Sequence, residues 1–149
     1  MRAVVQRVTY SDVTSNEQMT GSIQKGLTVL LGVGKDDTDA DARYMAEKIA
    51  GLRIFEDDAG KMNLSVLEIG GEILAISQFT LYGDVKKGKR PSFTAAAGAE
   101  EAAILYESFC SILRSLGPVV REGVFQTDML VRIHNDGPVT ILIDSKKEF

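Results

Sequence analysis

Apolar residues recur along this chain in two rhythms: a period of two, which marks half-buried strands, and a period near 3.6, which marks helices. Arg2 to Val13 alternates in part and is rich in Val and Thr, which predicts a strand. Met19 to Ile23 is its predicted hairpin partner, with Ser15-Asn16-Glu17 turning between them. Leu27 to Val33 is nearly all apolar, as in a strand covered on both faces, and Gly34-Lys35-Asp36-Asp37 breaks it. A helix is predicted from Thr38, where Thr38 and Asp41 have capping-box spacing and Ala42, Met45, Ala46, Ile49 and Leu52 form one stripe. Asp57 to Gly60 is a loop, and Lys61 to Ile69 follows neither rhythm. Ile73 to Ile76, after Gly70-Gly71, predicts a short central strand. Tyr82 to Phe93 reads as an exposed loop. A second helix carries Ala102, Leu105, Tyr106, Phe109, Ile112, Leu113 and Leu116 on one face, and Gly117-Pro118 stops it. Three strands then finish the chain: Val119 to Phe125, Met129 to His134 and Val139 to Ile143.

Strands dominate both ends, so regular βαβ alternation is excluded. The predicted fold is mixed α/β: a twisted mixed sheet or flattened β-barrel of about 7–8 strands with two main helices. The 149 residues are expected to form one domain, 1–149. A hydrophobic fraction of 44% and a charged fraction of 26% are those of an ordinary globular protein. No window reaches the roughly 18 apolar residues of a membrane span. The first residues lack an apolar stretch ending in a cleavage site, so no signal peptide is predicted and cytoplasm is the expected compartment.

Charge and chemistry narrow the choice. A net charge of −4 argues against a protein that coats nucleic acid non-specifically. Lys86, Lys87, Lys89 and Arg90 form the one dense cationic run; it is either a solvated loop or a local phosphate contact. The single cysteine, Cys110, lies beside the second helical stripe and reads as a packed thiol. The single histidine, His134, shares a strand face with Arg132 and reads as solvent-facing, which leaves a Ser-His-Asp catalyst without its base. No ligand spacing points to a metal, and no cofactor is predicted.

Two strings remain. Ser77-Gln78-Phe79-Thr80-Leu81 ends the central strand, where backbone N–H groups either form an oxyanion hole or are satisfied by neighbouring loops. Asn135-Asp136-Gly137-Pro138-Val139-Thr140 is either an ordinary turn between antiparallel strands or a ligand-facing edge. Glycine permits close approach, and a cis Gly-Pro bond would turn two successive carbonyls the same way, toward an ammonium group.

With Met1 to Val8, Leu52 to Asp57, Gly60 to Ser65 and Lys87 to Phe93, these strings run in one order over essentially the whole chain. In them the chain resembles the D-aminoacyl-tRNA deacylases of the bacterial and eukaryotic type (the D-tyrosyl-tRNA deacylase family). One departure is Gln126, where relatives usually carry a small residue, often glycine. The resemblance implies a homodimer with two sites at its interface. The Gly137-Pro138 turn of one subunit, cis, would enter the other's pocket as a chiral selector. Arg7 would hold that turn, Ser77, Gln78, Phe79 and Thr80 would line the opposing wall, and Met129 would lie nearby. The implied partner is the aminoacyl-tRNA acceptor end, with Lys86, Lys87, Lys89 and Arg90 on its phosphates. The implied reaction is hydrolysis of a D-aminoacyl ester, activated by the substrate's own ribose hydroxyl, with Thr80 as a covalent nucleophile the rival. Two other readings stay open: a non-catalytic RNA-end or DNA-associated binding module, and a Thr80-dependent esterase for small esters.

Overall fold

Two long strands, β1 (Arg2–Ser15) and β8 (Met129–Asp144), pair antiparallel along nearly their whole length and form the spine of the sheet. They belong to a computed structural model that describes residues 1–149. On its other edge β1 pairs antiparallel with β3 (Gly26–Gly32) through its first half and with β2 (Gln18–Ile23) through its second. Asn16 and Glu17 both take positive φ, 50° and 63°, and close the β1–β2 hairpin with the twist that such two-residue loops require. β3 continues in parallel to β6 (Glu72–Ser77), and β6 in parallel to β7 (Val119–Glu122). The result is a nearly closed, barrel-like mixed sheet, with β4 (Phe55–Glu56) and β5 (Met62–Leu64) as a separate small hairpin. β5 falls within the stretch that showed no rhythm.

Two helices, α1 (Asp39–Ala50) and α2 (Ala99–Ser115), pack against each other. The Asp41 carboxylate receives the Thr38 backbone N–H at 2.8 Å, as the capping-box spacing requires. Ala42, Met45, Ala46 and Ile49 of α1 and Tyr106, Phe109, Cys110 and Leu113 of α2 are buried in the larger core, with Val5, Val29, Leu31 and Ile73 of the sheet. A smaller core of Val8, Val13, Ile23, Leu74 and Ile76 lies apart from it. Burial pushes the Cys110 thiol well above its ordinary range, so it is an inert core residue.

The chain end departs from expectation. Met129–His134 and Val139–Ile143 are not two strands joined by a reversing turn; they are the two halves of β8. Both halves find partners on β1, which holds them collinear. Met129, Val131 and Ile133 pack on the smaller core, whereas Val139, Ile141 and Ile143 belong to the larger one. β8 thus passes from one core to the other, and Asn135 to Thr140 is where it does so. Val119–Glu122 is also shorter than the run to Phe125 that the apolar pattern suggested; Gly123 ends it.

Candidate functional site

Where β6 ends, the chain has no more ladder to follow. Ser77 is still paired opposite Leu31, and the Gln78 N–H donates to the Leu31 carbonyl at 2.7 Å. The backbone then winds into one 3-10 turn, Phe79–Tyr82. Phe79 and Thr80 lead that turn, and leading N–H groups have no partner within it. Tyr82 closes it and anchors it from below. Its hydroxyl donates to Asp37 at 3.3 Å, the Arg2 guanidinium lies 4.6 Å from its ring centre, and a Cβ on Gly34 would strike its oxygen at 2.7 Å. Burial and the Asp37 charge raise the Tyr82 hydroxyl well above its ordinary value, so it stays a donor. Asp37 is itself held by the Met1 ammonium at 2.6 Å.

Ser77, Gln78 and Phe79 line a cavity of about 660 Å³, with Met129 on another wall. Its floor is apolar, built by Leu31, Ile76, Ala102, Tyr106, Phe125 and Val131. Phe79 is 57% exposed at the mouth, with its ring edge-on to Phe93 at 5.1 Å. Thr80 is exposed and stands outside the lining; its hydroxyl accepts a short hydrogen bond from the Gln78 amide. An amide cannot take the proton of that hydroxyl. No three His, Cys, Asp or Glu side chains converge as a metal-binding group would.

The second string lies elsewhere on the chain. Four residues of β8, Asp136 to Val139, stand opposite the single residue Arg7 of β1, with Gln6 opposite Thr140 and Val8 opposite Asn135. The string is therefore an irregular bulge, four residues against one, in a continuous strand. The Asn135 amide closes its neck, donating to the Arg7 and Val139 carbonyls, each at 3.0 Å. Gly137 has φ 118°, a value that favours glycine, and a Cβ there would crowd Val139 N at 3.0 Å. The Gly137–Pro138 bond is cis, and both residues are exposed. Arg7 is buried beneath them and donates to the Ile54 carbonyl at 2.8 Å.

Ser77, Gln78, Phe79 and Met129 thus share the cavity, and Arg7, Gly137 and Pro138 share the bulge. The cavity lining includes none of the bulge residues. Lys86, Lys87, Lys89 and Arg90 are all exposed, at the tip of a loop pinned by Asp84 and Ser92, whose backbones exchange hydrogen bonds of 2.8 and 2.9 Å. His134 is exposed and rests edge-on against Tyr10 at 5.3 Å. Sequence patterning gave no site role to Phe93, Tyr106 or Phe125. Tyr106 was visible only as one member of the core stripe. It caps the cavity floor because its hydroxyl reaches the Ala75 carbonyl at 2.9 Å.

Comparison with known proteins shows the family and the shared fold. The family model described as D-Tyr-tRNA(Tyr) deacylase matches residues 4–144. Curated proteins called D-aminoacyl-tRNA deacylase include one from Koribacter versatilis, 62% identical, and one from Thermotoga petrophila, 56% identical, each aligned over 100% of both chains. Among solved structures, the c-Myc DNA Unwinding Element Binding Protein superposes with a TM-score of 0.92 at 44% identity, covering 97% of this chain and 98% of that one. A probable eukaryotic D-amino acid tRNA deacylase superposes with a TM-score of 0.83 at 20% identity, covering 95% and 97%, and shows the shared fold.

Proposed function

The chain belongs to the D-Tyr-tRNA(Tyr) deacylase family, and from that premise we propose that it hydrolyses the ester of D-aminoacyl-tRNA, releasing the D-amino acid and free tRNA. The observation that carries the finer reading is the separation of two prepared surfaces on one subunit: a cavity without a selector and an exposed Gly-Pro bulge without a cavity. A symmetric dimer supplies each with the other. In this reading Gly137 and Pro138 of one protomer enter the cavity of its partner, opposite Ser77, Gln78 and Phe79.

Water adds to the ester carbonyl, with the neighbouring ribose hydroxyl drawing its proton. The Phe79 and Thr80 N–H groups receive the developing oxyanion. The bond from carbonyl carbon to ribose oxygen then breaks, and the proton ends on that oxygen. The ester is already activated, so orientation and charge stabilisation suffice; orientation alone can supply roughly 7–11 kcal/mol. Main-chain carbonyls of the bulge grip the α-ammonium. An L side chain then meets the selector, while a D side chain points away, and glycine passes because it has no side chain to reject. The test is one assay of matched D-, L- and glycyl-tRNA with the purified protein. Cleavage of the D and glycyl esters with the L ester spared is expected; equal cleavage of D and L esters contradicts it.

A second reading rests on the structural relative whose name refers to a DNA unwinding element. The exposed Lys86–Arg90 tip would serve a duplex as well as a tRNA. Binding of duplex DNA that competes with deacylation, and weakens when the loop is neutralised, would favour it.

A further inference from the structure

Gln126 is the one residue of the cavity lining that combines a side chain with left-handed backbone, at φ 59°. Such a conformation costs a residue with a Cβ on the order of 1–3 kcal/mol and persists where the surroundings enforce it. Here both neighbours enforce it. Phe125 is packed against the core, with its ring 6.1 Å from that of Tyr106. The Thr127 hydroxyl donates to the Val124 carbonyl at 2.9 Å and accepts from the Ser15 hydroxyl at 2.8 Å. Between these fixed points the Gln126 amide is exposed at the cavity mouth and finds no partner in the chain. It lines the cavity, as do Ser77, Gln78 and Asp128, so polar side chains accompany the apolar floor.

We infer that Gln126 is a specificity-determining residue, whose amide, held at the cavity mouth by Phe125 and Thr127, pairs with the donor–acceptor edge of a nucleobase at the acceptor end. A carboxamide presents one donor and one acceptor side by side, the complement of such an edge. A loop fixed on both sides presents it with little ordering cost. The assignment rests on the acceptor-end activity proposed above.

Steady-state deacylation of one D-aminoacyl-tRNA by Gln126→Met and Gln126→Gly tests it, with the trinucleotide CCA as competing inhibitor. Loss of one amide pair is expected to raise KM roughly tenfold with kcat within about twofold. CCA inhibition should weaken by the same factor. The melting temperature of Gln126→Gly should not fall, since glycine suits that φ. A KM within about twofold of the unaltered protein for both variants overturns the assignment, because a hydrogen-bonding edge in use would cost more. So does a raised KM with CCA inhibition unchanged, which marks a merely structural effect. Absence of deacylation by the unaltered protein would instead refute the parent activity, and that control separates the two failures.

Discussion

The Nε of Arg7 stands 3.2 Å from an Asp136 carboxylate oxygen, off the line of a hydrogen bond, so the buried guanidinium attracts the bulge by charge while Nε keeps no hydrogen-bond partner. Its other end is fixed by the Ile54 carbonyl. Only a planar fork reaches both. Arg7→Lys is therefore expected to cost about 2 kcal/mol of stability, as for a hydrogen bond to a charged group. Through the loosened bulge it is expected to lower kcat/KM on D-aminoacyl-tRNA roughly 10–100-fold. Urea unfolding and single-turnover kinetics on the same variant check both.

Thr80 tests the chemistry. Its hydroxyl meets only the Gln78 amide, which is no base. Thr80→Ala is expected to keep kcat within about threefold, because the backbone N–H at that position remains. A loss of a thousandfold, with a trapped acyl-enzyme in the unaltered protein, would restore the covalent route.

The exposed basic tip gives a prediction about salt. If Lys86, Lys87, Lys89 and Arg90 neutralise phosphates, tRNA affinity falls as salt rises. Changing Lys87 and Lys89 to Glu should weaken tRNA binding and flatten the salt slope by about 1 per lost contact. The ratio of D to L cleavage should not change. Unchanged binding returns the loop to a solvated surface.

Asp41 and Asp12 are two of the carboxylates that contribute to the acid limit. Burial opposes ionisation of Asp41, but hydrogen bonds from Ser145, Lys146 and the Thr38 N–H hold its value well below the ordinary one. Asp12 is lowered chiefly by the Arg132 guanidinium, against burial, with help from the Tyr10 hydroxyl. Each contributes stability that is complete above the unfolded-state value near about 4 and is lost as pH falls through the lower folded-state value. Urea midpoints should be level above about pH 5 and drop below about pH 4. Asp41→Asn should lower the plateau and shrink that drop.

β1, β2, β3, β6 and β7, both helices and the α1 cap were legible because each rests on a local period or a cap of fixed spacing, whereas β4 and β5 carry no such period. That Ser77 to Phe79 stand at the end of the central strand was legible because polar residues followed a buried apolar run. The nature of the Asn135–Thr140 segment was not. Gly and Pro between two strand-like runs spell a turn locally, and only pairing with distant β1 shows that the strand goes on. Phe125 and Tyr106, which line the cavity, and Phe93, which packs on Phe79 at its mouth, were hidden for the same reason, since only the tertiary fold brings their three separate segments together.

The central claim is that each site is completed by two subunits. Gly137→Val blocks the bulge, and Gln78→Ala damages the cavity wall; each alone is expected to be nearly inactive. Mixed under conditions that exchange subunits, they form heterodimers in which one of the two sites is intact. Deacylation should then return to about a quarter of the unaltered level with random exchange of an isologous dimer. Verified heterodimers with no recovered activity, or an unaltered protein that is active as a monomer, would contradict it.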